Sequence, residues 1–260
     1  MRELVSMWRN TRMVVFAALT ASLYAAILIP FKVLPIIPGV TELRPANAVP
    51  VVCSFLFGPA AAWGAGIGNV IGDFFGGFGP GDLFGFFGNF LYGFLPYRTW
   101  ELLSARTPTP RQVREWVLFG AVVALASGAC ALVIGWGLNL LGFVPFRVLG
   151  NIVWINNMLA SLLLAPFLLA VIYPRAERGR LTYRHVMGQR EASASIVRYL
   201  GLAVVVFAVA VGMWLGNGLS AGTVTVPWVD ADAATGTGQL AVGLGLLPVL
   251  GLLVLGIALL

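Results

Sequence analysis

Apolar residues run along this chain in eight stretches, parted by short breaks that are polar or rich in glycine and proline. They cover residues 13–30, 46–59, 60–78, 82–96, 116–138, 148–173, 199–215 and 240–260. A helix needs about 20 apolar residues to cross a bilayer, and most of these runs approach that length. Within them apolar and polar positions do not alternate, as the strands of a membrane barrel would require. The pattern predicts eight membrane-spanning helices. Residues 31–41 carry Pro35, Pro38 and Gly39 and read as a loop. Residues 76–81, Gly-Gly-Phe-Gly-Pro-Gly, read as a turn, and the sequence from Tyr97 to Glu115 as a polar connection.

Composition turns that pattern into a class. Hydrophobic residues make up 59% of the chain and charged residues 10%, against roughly 25% charged in a soluble domain. The expectation is an all-α integral membrane protein, with the apolar stretch near Met1 retained as its first span rather than cleaved as a signal peptide. The net charge of +6 is concentrated at the N-terminus, in 97–115 and in 174–198. Basic loops stay on the cytoplasmic side, so eight spans with both termini cytoplasmic put every cluster on one face. That distribution speaks for topology and anionic lipid, and no nucleic-acid partner is expected.

Orientation then sorts the scarce polar groups. Asn69 and Asp73 fall in the outer half of the third span, Asp82 and Asn89 in that of the fourth, and Asn151 and Trp154 in that of the sixth. Glu42, Arg44 and Asn47 stand at the outer mouth of the second. Polar side chains at membrane depth face a cavity or each other, so this set predicts a pocket opening outward. Asn151, Trp154 and Asn157 lie along one drifting stripe; they either bridge helices or surround a planar ligand with amides and a ring. Ala17, Ala21 and Ala25 recur every fourth residue, a spacing that suits close helix contact within the bundle or docking of a partner subunit.

Catalytic chemistry finds little support. Lys32 is the only lysine and follows no glycine-rich loop, so there is no phosphate-binding P-loop and no ATP hydrolysis. His185 sits in a basic loop without a metal-ligand or triad partner, and Cys53 and Cys130 read as packing residues. Asp73 and Asp82 lack a nucleophile or metal to work with. No metal and no cofactor is expected, and the chain does not read as an enzyme.

Three segments carry a family resemblance: Arg44-Pro45-Ala46-Asn47-Ala48-Val49-Pro50, then Leu56-Phe57-Gly58-Pro59, then Gly66-Ile67-Gly68-Asn69 with Gly72-Asp73. Together they resemble the substrate-binding S components of energy-coupling factor transporters. The resemblance implies a six-helix core over residues 1–173 that captures a vitamin or related micronutrient. It also implies delivery with a membrane coupling subunit and two cytoplasmic ATPases, docked through Ala17, Ala21 and Ala25. Residues 174–198 then form a basic cytoplasmic loop and 199–260 a two-span extension beyond the usual six. A stand-alone secondary transporter is the alternative, although such proteins show broken helices in both halves and here the Gly/Pro breaks gather in spans two to four. A membrane enzyme is the third reading.

Overall fold

A computed structural model describes residues 2–31, 35–37, 41–42, 44–104, 106–188, 195–229 and 239–260. It is an all-α membrane protein. A short helix α1 (Arg2–Ser6) and a 3-10 turn lead into α2 (Thr11–Phe31). Two short antiparallel strands follow, β1 (Pro35–Ile37) and β2 (Thr41–Glu42), with Pro35 opposite Glu42. Then come α3 (Ala48–Phe57), α4 (Pro59–Phe74), α5 (Asp82–Leu103), α6 (Val113–Leu140) and α7 (Phe146–Arg178). The chain closes with α8 (Tyr183–Met187), α9 (Ile196–Ser220), α10 (Gln239–Gly245) and α11 (Leu247–Leu259). Five helical segments among the described residues are long and apolar enough to cross a membrane: α2, α6, α7, α9 and α10 with α11.

Of the eight expected spans, α3, α4 and α5 fall outside these five, and the second is the shortest. All ten residues of α3 are buried, and at about 1.5 Å per residue it crosses only half a bilayer. Gly58 stops it at φ +52°, and Pro59 starts α4 immediately. A side chain at 58 would also meet the Tyr183 ring at 2.7 Å. The fourth span does not end at Pro96. Helix α5 continues to Leu103, because the Tyr97 N–H finds Ser54 Oγ on α3 at 3.1 Å and Tyr97, Arg98 and Trp100 are buried beyond the proline. Packing there outweighs the roughly 3 kcal/mol that a proline costs inside a helix. The basic end is tied by charge: Arg98 stands 3.4 Å from Glu3 and 3.8 Å from Glu101, which Arg184 approaches at 3.6 Å.

Helices α2 and α4 meet closely enough to touch backbone to backbone. A Cβ at Gly64 would lie 2.6 Å from the Ala17 carbonyl oxygen, and one at Gly68 would lie 2.8 Å from that of Ala21. Ala17, Ala21 and Ala25 are all buried inside the chain. Their stripe is spent on the bundle, which corrects the docking reading of those three residues. The outward face of α2 carries a second small-residue stripe, Ala18, Ser22 and Ala26, all exposed.

Helix α9 packs on α6, α7 and α11. At the end of α6 and α7 where one helix turns into the next, Asn217 on α9 exchanges hydrogen bonds with Asn151, at 2.7 and 3.3 Å. The expected last span is broken between α10 and α11, where Pro248 opens the new helix. Trp136 on α6 donates its indole N–H to the Gly243 carbonyl at 2.9 Å, just before the break. In lipid a carbonyl freed at such a break needs a protein donor.

Candidate functional site

A cavity lies among α2, α5, α6, α7 and the chain leading into α3, in the half of the bundle away from Arg98. Its empty volume is about 390 Å³, mouth included. The two sides differ in chemistry. Cys130, Ile134 and Leu138 of α6, with Leu149 and Val153 of α7, make an apolar wall. Tyr24, Arg44, Asn47, Asn89, Asn156 and Asn157 make the polar one.

The polar wall is held by a closed network. Pro45 sits in the 3-10 turn that ends at Asn47, and the Asn47 N–H bonds the Arg44 carbonyl at 3.0 Å. This turn aims the Asn47 side chain inward, where it is buried. The Tyr24 hydroxyl lies 2.8 Å from Asn47 Oδ1 and 2.9 Å from Asn89 Oδ1. Asn47 Nδ2 donates to Asn157 Oδ1, and Asn89 Nδ2 donates to the Gly85 carbonyl at 2.9 Å. Behind them the Tyr92 hydroxyl donates to the Asn157 carbonyl at 2.9 Å, while Ser161 donates to the Asn47 carbonyl at 3.1 Å. Buried polar groups satisfied in this way hold the helices together, since every loss leaves a partner unpaired.

The nominated residues separate into layers. Arg44, Asn47 and Asn89 stand on the cavity wall. Asn69 and Asp73 form a second row: Arg44 Nη1 donates to Asn69 Oδ1 at 3.4 Å, and Asn69 Nδ2 donates to Asp73 Oδ2 at 2.6 Å. Asp82 accepts the Gly79 N–H at 2.7 Å and so caps the turn before α5. Asn151 and Trp154 are elsewhere. Asn151 joins Asn217, and the Trp154 indole donates to the Ala124 carbonyl on α6 at 3.1 Å, so both bridge helices. The Glu42 side chain lies outside the described residues.

Three residues of the polar wall, Tyr24, Asn156 and Asn157, are not among the candidates the sequence pattern gives. Tyr24 is the one tyrosine of the first apolar run and shares a face with Ala17, Ala21 and Leu28, a phase that marks it as inward. Asn157 belonged to the noted stripe, and Asn156 is its neighbour; facing amides on consecutive residues are the signal that could have found them. Among the described residues no group of His, Cys, Asp and Glu could hold a metal ion. A family model described as QueT transporter matches residues 14–174. No curated protein and no solved structure matches the chain.

Proposed function

The chain belongs to the QueT transporter family, S components of energy-coupling factor transporters, and on that premise we propose that its cavity captures a queuosine precursor from outside the cell. It is a transporter component, not an enzyme. The observation that carries the substrate is the two-sided cavity. Queuosine precursors are built on a flat deazapurine. An aliphatic wall suits its ring faces, and four amides with a guanidinium suit its hydrogen-bonding edge. Titration calorimetry with the purified protein and 7-deazaguanine, the base common to these precursors, tests this. Saturable binding is expected, and no heat from any deazapurine would remove the reading.

Loading and release then need the coupling subunit and its two ATPases. The outward stripe Ala18, Ser22 and Ala26 is the surface we assign to the coupling subunit, since small residues admit the closest helix approach. The extension α9 to α11 packs on α6 and α7 and leaves that stripe exposed. Ser22→Trp is expected to abolish co-purification with the coupling module while 7-deazaguanine affinity stays within threefold of wild type. Retained co-purification would move the docking site off α2.

The arginine clusters put the basic end in the cytoplasm and the cavity outside. Single cysteines at positions 108 and 185 should react with an impermeant maleimide only from inside, and one at position 222 only from outside, in a background where Cys53 and Cys130 are replaced. Outside reactivity at 185 would invert the topology and close the cavity to external solute.

A further inference from the structure

The two-span extension stands behind the apolar wall of the cavity. Cys130, Ile134 and Leu138 turn one face of α6 to the cavity, and Leu149 and Val153 do the same for α7. At about 100° per residue, Leu132 lies about 200° from Cys130 and Asn151 about 200° from Leu149, so both are on the opposite faces. Helix α9 covers those faces. A Cβ at Gly212 of α9 would lie 2.7 Å from Leu132 Cδ2, and one at Gly216 would lie 2.5 Å from the Phe146 ring. From the α6 side, a Cβ at Gly128 would lie 2.7 Å from Val209 of α9. Glycine is what lets the helices come this close. Three hydrogen bonds add to the packing: Asn151 to Asn217 at 2.7 Å, the Arg147 N–H to Ser220 Oγ at 3.2 Å, and the Trp136 indole to the Gly243 carbonyl at 2.9 Å. The matched family model ends at residue 174, so the wall lies inside the match and its backing outside it.

We propose that α9 is a brace for ligand binding, and that Gly212 and Asn217 are its positioning residues. The inference rests on the cavity being a deazapurine site. Aliphatic side chains hold a flat ring by shape and dispersion, and a gap of about 0.5–1 Å already forfeits much of that attraction. Unlike the amides across the cavity, they have no hydrogen bonds of their own to set their positions. Without α9 the back of α6 and α7 would meet fluid lipid chains. With it, glycine contacts fix α6, and the paired amides fix the rotation of α7, which carries Leu149, Val153, Asn156 and Asn157 on the cavity side. A wall fixed before the ligand arrives spares binding the cost of ordering it. The brace acts on affinity without touching the solute.

Titration calorimetry with 7-deazaguanine on the purified full chain, beside a melting curve, is the test. Gly212→Leu drives α9 away from Leu132 and should lower affinity by about tenfold. Gly251→Leu is the control on the same extension: a Cβ there meets nothing within 4 Å, and affinity should hold. Asn217→Leu removes the tie to α7 at similar volume, and a loss of about tenfold is again expected. Asn217→Asp keeps an acceptor for the 2.7 Å bond from Asn151 and should restore affinity to within about threefold of wild type. A purely structural α9 predicts a lower melting temperature with affinity unchanged in Gly212→Leu and Asn217→Leu; that result would overturn the brace, as would equal affinity losses in Asn217→Leu and Asn217→Asp. If Gly212→Leu yields no folded protein, the two Asn217 variants decide alone. A wild-type chain that binds no 7-deazaguanine would remove the site and this inference with it, whereas variants that match a binding wild type overturn the brace alone.

Discussion

Asn47→Leu is expected to lower 7-deazaguanine affinity by at least about a hundredfold, the largest effect of any single change at the cavity. Leucine is close to asparagine in size but accepts and donates nothing. The substitution removes the Tyr24 contact and the bond to Asn157 together, at a residue 2% exposed. Each partner left unpaired in a dry site costs on the order of 1–3 kcal/mol, and the ligand loses an oxygen as well. The backbone carbonyl of Asn47 still accepts from Ser161, so the turn into α3 should survive. Calorimetry beside a melting curve separates the outcomes. A variant that melts early yet binds normally would mean that Asn47 only ties helices together. Trp154→Phe provides the contrast: it deletes the indole bond to Ala124 on α6, away from the cavity wall. Some loss of melting temperature with unchanged affinity is the expected result.

The second large effect is structural. Gly68→Val should prevent recovery of a folded, monodisperse protein. The new Cβ would sit 2.8 Å from the Ala21 carbonyl oxygen and 3.0 Å from its Cα, and backbone cannot rotate away as a side-chain tip can. Helices α2 and α4 would have to part along their length, exposing Tyr24 and its partners. Losses above about 4 kcal/mol come from such mechanisms, and the effect here belongs in that range. Gly120→Ala is the matched control, because a Cβ there meets nothing within 4 Å. Detergent-solubilised yield and size-exclusion profile read both. A Gly68→Val protein with wild-type yield would show that the contact can relax.

The eight apolar runs were legible because lipid demands them: each corresponds to a helix or helix pair, and the arginine clusters lie between them. What could not be read was the outcome of packing. Pro96 is a stop signal on its own, and only Ser54 on another helix lets α5 run past it. The alanine stripe announced close helix contact correctly, yet spacing says nothing about which of two adjacent stripes faces inward. Glycines at 64 and 68 decide that, and they lie some 45 residues further along the chain. Position along each run collected the polar residues toward one half of the bundle, but rotation about each helix axis set which of them line the cavity. Asn47 and Asn89 turn to the cavity, and Asn151 turns to Asn217. Tyr24 was hidden for the opposite reason: in an apolar run an aromatic ring reads as packing until its hydroxyl is given partners.

Ser22 and Tyr24 stand two residues apart on α2, one turned outward and the other bonded to Asn47 and Asn89 on the cavity wall. Only a helix's thickness separates the outward face of α2 from the cavity. Because α2 touches the backbone of α4 at Gly64 and Gly68, the two helices must shift as one body. A subunit that seats on the Ser22 side and pushes this body, straining the Tyr24 contacts, weakens the grip on the solute by some factor. Thermodynamic reciprocity then requires the solute to weaken that subunit's grip by the same factor. Empty and loaded copies would compete for one coupling subunit on unequal terms, and the size of that inequality would equal the work available for letting the cargo go.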